Sequence, residues 1–391
     1  MHDKTKPDTS NILAYVGICI IVLFAVVSFA GYLITPDNTP NTNSQHPSIA
    51  LQPIGFRVAM LKVKNNVDFE PTGIVHRWLF GEQNQYRYIP FDSIQWNHFG
   101  LRVFEFSSDS SGVQFEQDID YQDILFSVRQ QNNLNPMADS VFVEMTNGQS
   151  RWCSYKAMQQ RVKNENLETK FFAMGTDRFG RDMLSRLIIG GRISLSVGFV
   201  AVFVSLIIGI FFGLVSGYYG GIIDKVIVWL INVFWSVPTL LLVIAVCMAL
   251  GKGFWQIFLA IGLTMWVEVA RVVRGKVLQL KHREYIEAAK VLGFSDFRIM
   301  FRHLLPNIIG PILVISAANF ASAILIESGL SFLGVGIEPP TPTWGAMIRD
   351  HYGYIIVGKA WLAMAPGFAV MIMVWAFTVS GHFLRRRFNV D

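Results

Sequence analysis

Long stretches without a charged residue are the feature that most constrains how this chain can fold. Ile12 to Ile34 contains no charge over 23 positions, and Ile193 to Ile223 and Val226 to Gly251 are further uncharged runs. A helix of about 20 apolar residues crosses the roughly 30 Å hydrocarbon layer of a bilayer. Only 16% of the residues are charged, whereas a typical soluble domain has about 25%. The sequence therefore predicts a polytopic membrane protein.

The apolar runs divide the chain into six predicted membrane spans, which makes the expected fold all-α. Pro238 is expected to kink the third span. The first run is longer than the apolar core of a signal peptide, so we interpret it as an uncleaved anchor. The predicted spans are Ile12–Ile34, Ile193–Ile223, Val226–Gly251, Gly253 to about Val273, Asn307–Ile326 and Ala360–Leu384.

A polar segment, residues 35–174, separates the first predicted span from the second. From Pro36 to Met174 there are 12 Lys and Arg against 15 Asp and Glu, whereas the rest of the chain has 21 against 13. Its residue patterns predict a small α+β domain, in which we expect Trp78, Trp96 and Trp152 to be core residues. The predicted strands are Ile54–Val63, Leu101–Phe106 and Ser140–Met145, and the predicted helices are Asp118–Asn132 and Trp152–Glu168.

Glycines recur at every fourth position in the second predicted span. This spacing places Gly209, Gly213, Gly217 and Gly221 on one face of a helix. Small residues at such spacing let two helix backbones approach closely, which is how membrane helices commonly pack. We therefore predict a helix-packing role for Gly209, Gly213 and Gly217.

The distribution of basic residues predicts the orientation in the membrane. Arg271 to Pro306, between the fourth and fifth spans, contains eight Lys and Arg against three Asp and Glu. Arg385, Arg386 and Arg387 fall on the same side after two more crossings. Because cytoplasmic loops are enriched in Lys and Arg, both termini are expected in the cytoplasm and the insert outside.

A short charged island, Arg283 to Gly293, lies inside this basic loop. Glu284, Glu287 and Lys290 favour a helix, and Gly293 can end it in a left-handed conformation. A helix of about nine residues is marginal by itself in water. Contacts outside this short helix must therefore stabilise it, and we interpret the island as a docking element.

These residues carry a resemblance to a known family. Glu287-Ala288-Ala289, then Gly293, then a segment ending in Leu305-Pro306 resembles the EAA loop of ABC-importer permeases. The stretches from Gly175 to Arg186, from Glu327 to Gly336 and from Pro339 to Gly345 are similar to segments of dipeptide, oligopeptide and nickel permeases of the second-permease branch. The resemblance extends from Gly175 to about Asn389 and, generically, over the first span. It does not extend over the long insert.

The resemblance implies an ABC type I importer permease fold and a coupling loop, residues 275–305, that docks on a cytoplasmic ATPase. It further implies a bacterial inner-membrane protein whose partners are a second permease, two ATP-binding subunits and an extracytoplasmic substrate-binding protein. ATP and Mg²⁺ would bind to the partner ATPases and no cofactor to this chain. The residues expected at the ATPase contact are Glu284, Glu287, Ala288, Ala289, Gly293 and Pro306. The expected organisation is a cytoplasmic N-terminus (1–11), a first span (12–34), an extracytoplasmic insert (35–174) and a permease domain (175–391).

Two other functions stay open from the residues alone. Glu268 or Glu327 could serve a transporter driven by protons or sodium, and Glu327 is equally compatible with lining a solute pathway or with an interfacial position. A membrane-anchored sensor would need fewer spans. The run Gly353 to Ala360 lacks the final hydroxyl of a phosphate-binding loop, no enzymatic motif is evident, and the basic residues form no nucleic-acid-binding patch. The chemical identity of a solute is not readable from the sequence.

Overall fold

The computed structural model describes residues 9–67, 72–107, 115–128, 139–146, 148–251 and 253–388. These residues form two compact units. The membrane unit comprises Met1–Phe29, Gly190–Ile355 and Ala360–Asp391. The insert unit comprises Ala30–Ile189 and Ile356–Lys359. The boundary after the insert falls within one long helix, fifteen residues after the predicted one.

The membrane unit is built from helices. Five described helices are long and apolar enough to cross a membrane, and the count is six if the bent pair Gly221–Trp235 and Thr239–Leu250 forms one span. The helices with a part in this unit are α1 (Thr9–Phe29), α6 (Met183–Tyr219), α7 (Gly221–Trp235), α8 (Thr239–Leu250), α9 (Phe254–Leu280), α10 (Glu284–Val291), α11 (Asp296–Arg298), α12 (Leu305–Asn307), α13 (Ile309–Phe332), α14 (Trp344–His351) and α15 (Trp361–Arg387).

The third predicted span is broken rather than kinked. Helices α7 and α8 meet at an angle of 94°. Pro238 lies at the break with φ −54° and ψ 127°, which is outside the helical region. Proline has no N–H to donate, and its ring disfavours helical geometry in the residue before it. The chain therefore ends one helix at Trp235 and starts the next at Thr239.

The glycine stripe of α6 lies against α9. A Cβ atom built on Gly209 would be 2.5 Å from Val269 Cβ, and one on Gly213 would be 2.6 Å from Val273 Cβ. A Cβ on Gly217 would be 2.7 Å from the Cβ of Val277. Real Cβ atoms do not approach this closely, so only glycine permits this helix spacing. The fourth glycine, Gly221, has φ +56° and begins α7 instead of extending the stripe.

The described residues of the insert unit form two antiparallel sheets and several short helices. The larger sheet has the strand order β4-β3-β2-β1-β7, and the smaller one pairs β5 with β6. Its core contains Leu61, Val103 and Tyr121, each nearly inaccessible to solvent. The elements are α2 (Gly31–Ile34), β1 (Phe56–Lys64), α3 (Ile74–Phe80), β2 (Tyr86–Trp96), β3 (Gly100–Glu105), β4 (Glu116–Asp120), α4 (Tyr121–Leu125), β5 (Ser140–Glu144), β6 (Ser150–Ser154), α5 (Tyr155–Arg161) and β7 (Leu167–Phe172).

Two predicted helices of the insert are wrong in part. The prediction over Asp118–Asn132 fails at its start, because Asp118 lies in β4, opposite Arg102 of β3. The guanidinium of Arg102 donates to both carboxylate oxygens of Asp118, at 2.8 and 3.0 Å, and this cross-strand pairing favours a strand. Residues 129–132 of that prediction lie outside the described residues.

The predicted helix Trp152–Glu168 shortens to α5 and a π-helical turn between strands β6 and β7. The expectation of buried tryptophans also fails in two places. Trp96 packs against the insert core, but Trp152 and Trp78 are exposed. The exposure of Trp152 follows from its position in β6, because a two-stranded sheet has a face that no other layer covers.

Candidate functional site

The loop between α9 and α13 contains the charged island of the sequence. Arg283 is extended and precedes α10, whose first turn includes Glu284 and Glu287 and whose last turn includes Lys290. Acidic residues at a helix N-terminus and basic ones at its C-terminus complement the helix dipole. The chain then forms α11, a π-helical turn over Ile299–Leu304 and α12 before it enters the next long helix.

The end of α10 depends on a glycine. Gly293 has φ +74°, a left-handed conformation that side chains with a Cβ seldom adopt. The N–H of Gly293 donates to the carbonyl of Lys290 at 2.9 Å, and the N–H of Phe294 donates to that of Ala289 at 3.1 Å. The last carbonyls of the helix are satisfied in this way, and the chain can turn back along it.

One face of α10 is buried within the membrane unit. Ile286 is inaccessible to solvent, and Ala289, three positions later, is only 4% exposed. Both belong to a cluster with Val277 of α9, Leu304 of the π-helical turn Ile299–Leu304 and Ile312 of α13. Ala289 therefore lies on the inner side of α10, where a small residue lets the helix approach its neighbours. Its predicted contact with the ATPase would have to be indirect.

The opposite face of α10 is exposed. Glu284, Glu287 and Ala288 all lie on this face, and Gly293 follows them with open space where a Cβ would be.

Apolar side chains are exposed at the C-terminal end of α10. Val291 is 88% exposed and Leu292 is 71% exposed. Beyond them, the rings of Phe297 and Phe301 are exposed and have centroids 4.5 Å apart. We call this mixed acidic and apolar area, from Glu284 to Phe301, the docking face.

Polar contacts hold the loop to the ends of neighbouring helices. The hydroxyl of Tyr218, in the last turn of α6, donates to Asp296 Oδ1 at 2.7 Å. Arg274 of α9 donates to both carboxylate oxygens of Asp224 in α7, at 2.6 and 2.7 Å. Ser216 donates to the same carboxylate. These contacts link the loop and the ends of three long helices into one connected network.

Pro306 lies at the far end of the loop, in α12, and is exposed. Next to it, the amide Nδ2 of Asn307 donates to the carbonyl of His303 at 2.6 Å. The imidazole of His303 stacks on the ring of Phe294, with centroids 5.8 Å apart. The predicted ATPase contact residues thus fall into an exposed group at α10, an exposed proline at α12 and the buried Ala289.

Glu327, the predicted pathway carboxylate, is buried between helices. Its Oε2 accepts a hydrogen bond from Ser194 of α6 at 3.0 Å, and its Oε1 accepts one from Ser331 at 2.8 Å. Thr343, which caps α14, donates to the Ser331 hydroxyl at 3.3 Å. The carboxylate therefore connects three helices. Glu268, by contrast, lines a cavity of about 280 Å³ beside the broken span.

The sequence reasoning missed the apolar part of the docking face. The signal was present, because Glu287 and Val291 are four residues apart and side chains at that spacing share one face of a helix. The Asp224–Arg274 ion pair was also missed. Its members are 50 positions apart, and no pattern in the sequence reports such a pairing.

The insert unit has a polar cavity of about 360 Å³. His46, Asp182 and Lys170 are among its lining residues, and the ammonium group of Lys170 lies 3.5 Å from the centre of the Tyr88 ring. Burial and the nearby charge of Lys170 lower the pKa of His46 to about 4. Asp182 caps α6 through Ser185, and burial raises the pKa of its carboxyl. Among the described residues, no group of three or more His, Cys, Asp or Glu is arranged to hold a metal ion.

Together, the long apolar helices and the exposed loop helix define a polytopic membrane component. Residues 209–390 match the family model for binding-protein-dependent transport system inner membrane components. The dipeptide transport system permease protein DppC of Bacillus subtilis is 42% identical over 228 residues, which cover 58% of this chain and 71% of that protein.

Other relatives extend this finding. The oligopeptide transport system permease protein OppC of Bacillus subtilis is 38% identical over 54% of this chain and 69% of its own length. The glutathione transport system permease protein GsiD of Pectobacterium atrosepticum is 38% identical over 54% of this chain and 70% of its own. A solved structure of the MetNI methionine ABC transporter in inward-facing conformations has 20% identity and a TM-score of 0.44, covering 53% of this chain and 97% of that one.

This chain belongs to the family of inner membrane components of binding-protein-dependent transport systems. It is an ABC-importer permease subunit, a transport component rather than an enzyme, and the resemblance noted in the sequence is confirmed. Membership implies that partner ATPase, substrate-binding and second permease components work with it. The ion-driven alternative receives no support from these relatives.

Proposed function

We propose that this chain is one of two non-identical permease subunits of an ATP-driven importer for dipeptides, oligopeptides or related small solutes. The relatives described above act in dipeptide, oligopeptide and glutathione transport, and all three solutes are peptides. In this proposal a separate extracytoplasmic protein delivers the solute, and two cytoplasmic ATPases bind ATP and Mg²⁺. The chain itself holds no cofactor.

The exposed half of α10 is the observation that carries the proposal. Val291 and Leu292 expose apolar side chains beside the carboxylates of Glu284 and Glu287. Apolar side chains clustered at a surface commonly mark a protein interface. Ile286, on the opposite face of the same helix, is fully buried. α10 is therefore a rigid element against which an ATPase could press.

The packing suggests how ATPase movement would reach the membrane spans. α10 has eight residues and a length of about 12 Å at 1.5 Å per residue. Its buried face belongs to one hydrophobic cluster with side chains of α9 and α13, the helices before and after it. Close-packed interfaces move as units instead of deforming gradually. A displacement of α10 would thus shift two spans together and favour alternating access.

The proposal also includes an orientation. The docking face must be in the cytoplasm to contact an ATPase, and the excess of Lys and Arg between Arg271 and Pro306 supports this arrangement. With an even number of crossings, both termini lie in the cytoplasm and the insert lies outside. Pro306, Glu287, Ala288 and Gly293 would then be close to the ATPase groove.

Leu292→Glu tests the proposal. Because Leu292 is 71% exposed, the charge should not disturb the fold of this chain, but it would be desolvated in a protein interface. We expect normal membrane levels, loss of the ATPase subunits that co-purify in mild detergent, and uptake of a labelled dipeptide reduced by at least about tenfold, equivalent to about 1.4 kcal/mol.

Val67→Glu is the matched control, since Val67 is similarly exposed but lies in the insert. It should retain both co-purification and uptake. Equal co-purification and uptake for Leu292→Glu and the unmodified chain would contradict the docking role. Normal ATPase co-purification with uptake of no tested peptide would contradict the peptide substrate but not the permease role.

A further inference from the structure

The short helix α3 is unusually apolar for a surface element. It has the sequence Ile-Val-His-Arg-Trp-Leu-Phe over Ile74–Phe80, and none of its residues is buried. Ile74 is 81% exposed and Val75 is 66% exposed. Five of its seven side chains are large and apolar, and all five are exposed. Exposure of this much apolar surface to water is unfavourable in free energy, so a lipid bilayer or another protein should cover these side chains.

The position of α3 within the insert unit is fixed by its C-terminal end. Gly81 has φ +80°, and a Cβ atom there would be 2.7 Å from the carbonyl oxygen of Asn38. The N–H of the next residue, Glu82, donates to that same oxygen at 2.9 Å. α3 also packs beside α2. The apolar helix is thus fastened to the segment that immediately follows α2.

α2 lies close to the membrane along the chain. The first span, α1, ends at Phe29, and α2 begins at Gly31. Four helical residues rise about 6 Å, which is comparable to one headgroup layer of a bilayer, about 5–8 Å. Leu33 and Ile34 in α2 are both more than half exposed. Exposed apolar side chains at this distance from a span would be inside the interfacial layer.

A second segment of the insert unit is also next to a span in the sequence. Ile356–Lys359 belongs to this unit and ends two residues before α15 begins at Trp361. The ammonium group of Lys359 donates to the carbonyl of Leu51 at 2.9 Å, which attaches the segment to the insert. Ile356 is 91% exposed. The insert unit therefore has exposed apolar residues at two chain connections to the membrane.

We propose that α3 lies in the headgroup layer of the bilayer and, with Leu33 and Ile34 of α2, anchors the insert to the phospholipid surface where the first span emerges. Seven residues are too few to cross the bilayer, but an apolar helix in the interfacial plane needs no such length. Trp78 supplies an aromatic ring suited to this layer. The guanidinium of Arg77 forms an ion pair with Glu82 at 3.4 Å, and the side chain is still 45% exposed at the same end of the insert. The covalent connection to α1 raises the effective concentration of the helix at the surface.

A nitroxide label at position 75 tests the anchor in the full chain. Val75→Cys is introduced after replacement of the native cysteines by Cys19→Ala, Cys153→Ser and Cys247→Ala, and the protein is reconstituted in nanodiscs of phosphatidylethanolamine and phosphatidylglycerol. Oxygen concentrates in lipid, whereas a nickel chelate stays in water. We expect the label to be several-fold more accessible to oxygen than to the nickel chelate.

Phe115→Cys is the matched control, because Phe115 is also apolar and is 73% exposed, but it precedes strand β4. Its label should be more accessible to the nickel chelate. Equal nickel accessibility at both positions would overturn the proposal. Protection of position 75 that develops only after a substrate-binding protein is added would also overturn it and assign α3 to a protein interface. If Val75→Cys does not fold, Ile74→Cys provides the same measurement.

Discussion

At the scale of single residues, three glycines determine how closely two spans approach. Gly209, Gly213 and Gly217 each face a valine of α9 that recurs with the same four-residue spacing. Inside a bilayer, helix association depends on van der Waals packing and polar contacts, because lipid is as apolar as the side chains. Gly262 of α9 repeats the arrangement in reverse, since its Cβ would be 2.7 Å from Val204 Cβ.

Gly213→Ala should destabilise the membrane unit. The added methyl group would lie 2.6 Å from Val273 Cβ and 2.8 Å from the carbonyl oxygen of Ala270, so the helices must separate. Overpacking of this kind costs about 1–3 kcal/mol. Gly367→Ala in α15, where a Cβ would meet nothing within 4 Å, is the control. Thermal unfolding of the purified protein should show a lower midpoint for Gly213→Ala only, and equal midpoints would count against the packing role.

At the scale of elements, α10 is held by tertiary contacts more than by its own helical propensity. Eight residues are too few for a stable helix in water, but Ile286 and Ala289 bury one side of it. The hydrogen bond from Tyr218 to Asp296 attaches the segment that follows α10 to the last turn of α6 and adds a second support. This packing keeps the outer face of α10 free while its inner face stays fixed.

Ile286→Ala should loosen α10 without removing the protein from the membrane. The truncation leaves a cavity in a fully buried cluster, which costs about 2–5 kcal/mol in typical cores. Hydrogen exchange of the segment from Glu284 to Leu292 should become faster, and peptide uptake should fall. Tyr285→Ala is the neighbouring control, because Tyr285 is 43% exposed. Unchanged exchange in Ile286→Ala would mean that α10 is supported elsewhere.

The insert illustrates where sequence patterns fail at this scale. The strands β1, β3 and β5 were predicted nearly at their observed bounds, because β-branched residues cluster or alternate there. β2, β4, β6 and β7 were not predicted, since their residues are largely polar or mixed. Asp118 belongs to a strand only because β3 places Arg102 opposite it. Such pairing depends on residues distant in the sequence.

At the scale of the whole molecule, charge distribution determines the expected orientation. Basic residues concentrate in the loop after α9 and at the end of α15, whereas the insert has slightly more acidic than basic residues. Two spans separate the basic regions, so both can lie on the cytoplasmic side. In the proposed orientation the docking face is in the cytoplasm.

Cysteine labelling can test this orientation. In the chain without native cysteines, Ser150→Cys in the insert should react with a membrane-impermeant maleimide on intact spheroplasts. Arg302→Cys in the docking loop should react only after the membrane is permeabilised. Both positions are exposed, so accessibility within the protein is matched. The reverse pattern of labelling would exclude the proposed contact with a cytoplasmic ATPase.

Composition and local spacing by themselves determined the membrane class, the approximate spans, the register of the glycine stripe and the family resemblance of the loop. These properties depend on neighbouring residues or on a helical repeat. Tertiary structure alone decided that Pro238 breaks a span, that Ala289 faces inward, that Glu327 joins three helices and that Asp224 pairs with Arg274. The physical reason is that burial and ion pairing depend on which distant segment covers a residue, and one-dimensional patterns do not specify that segment.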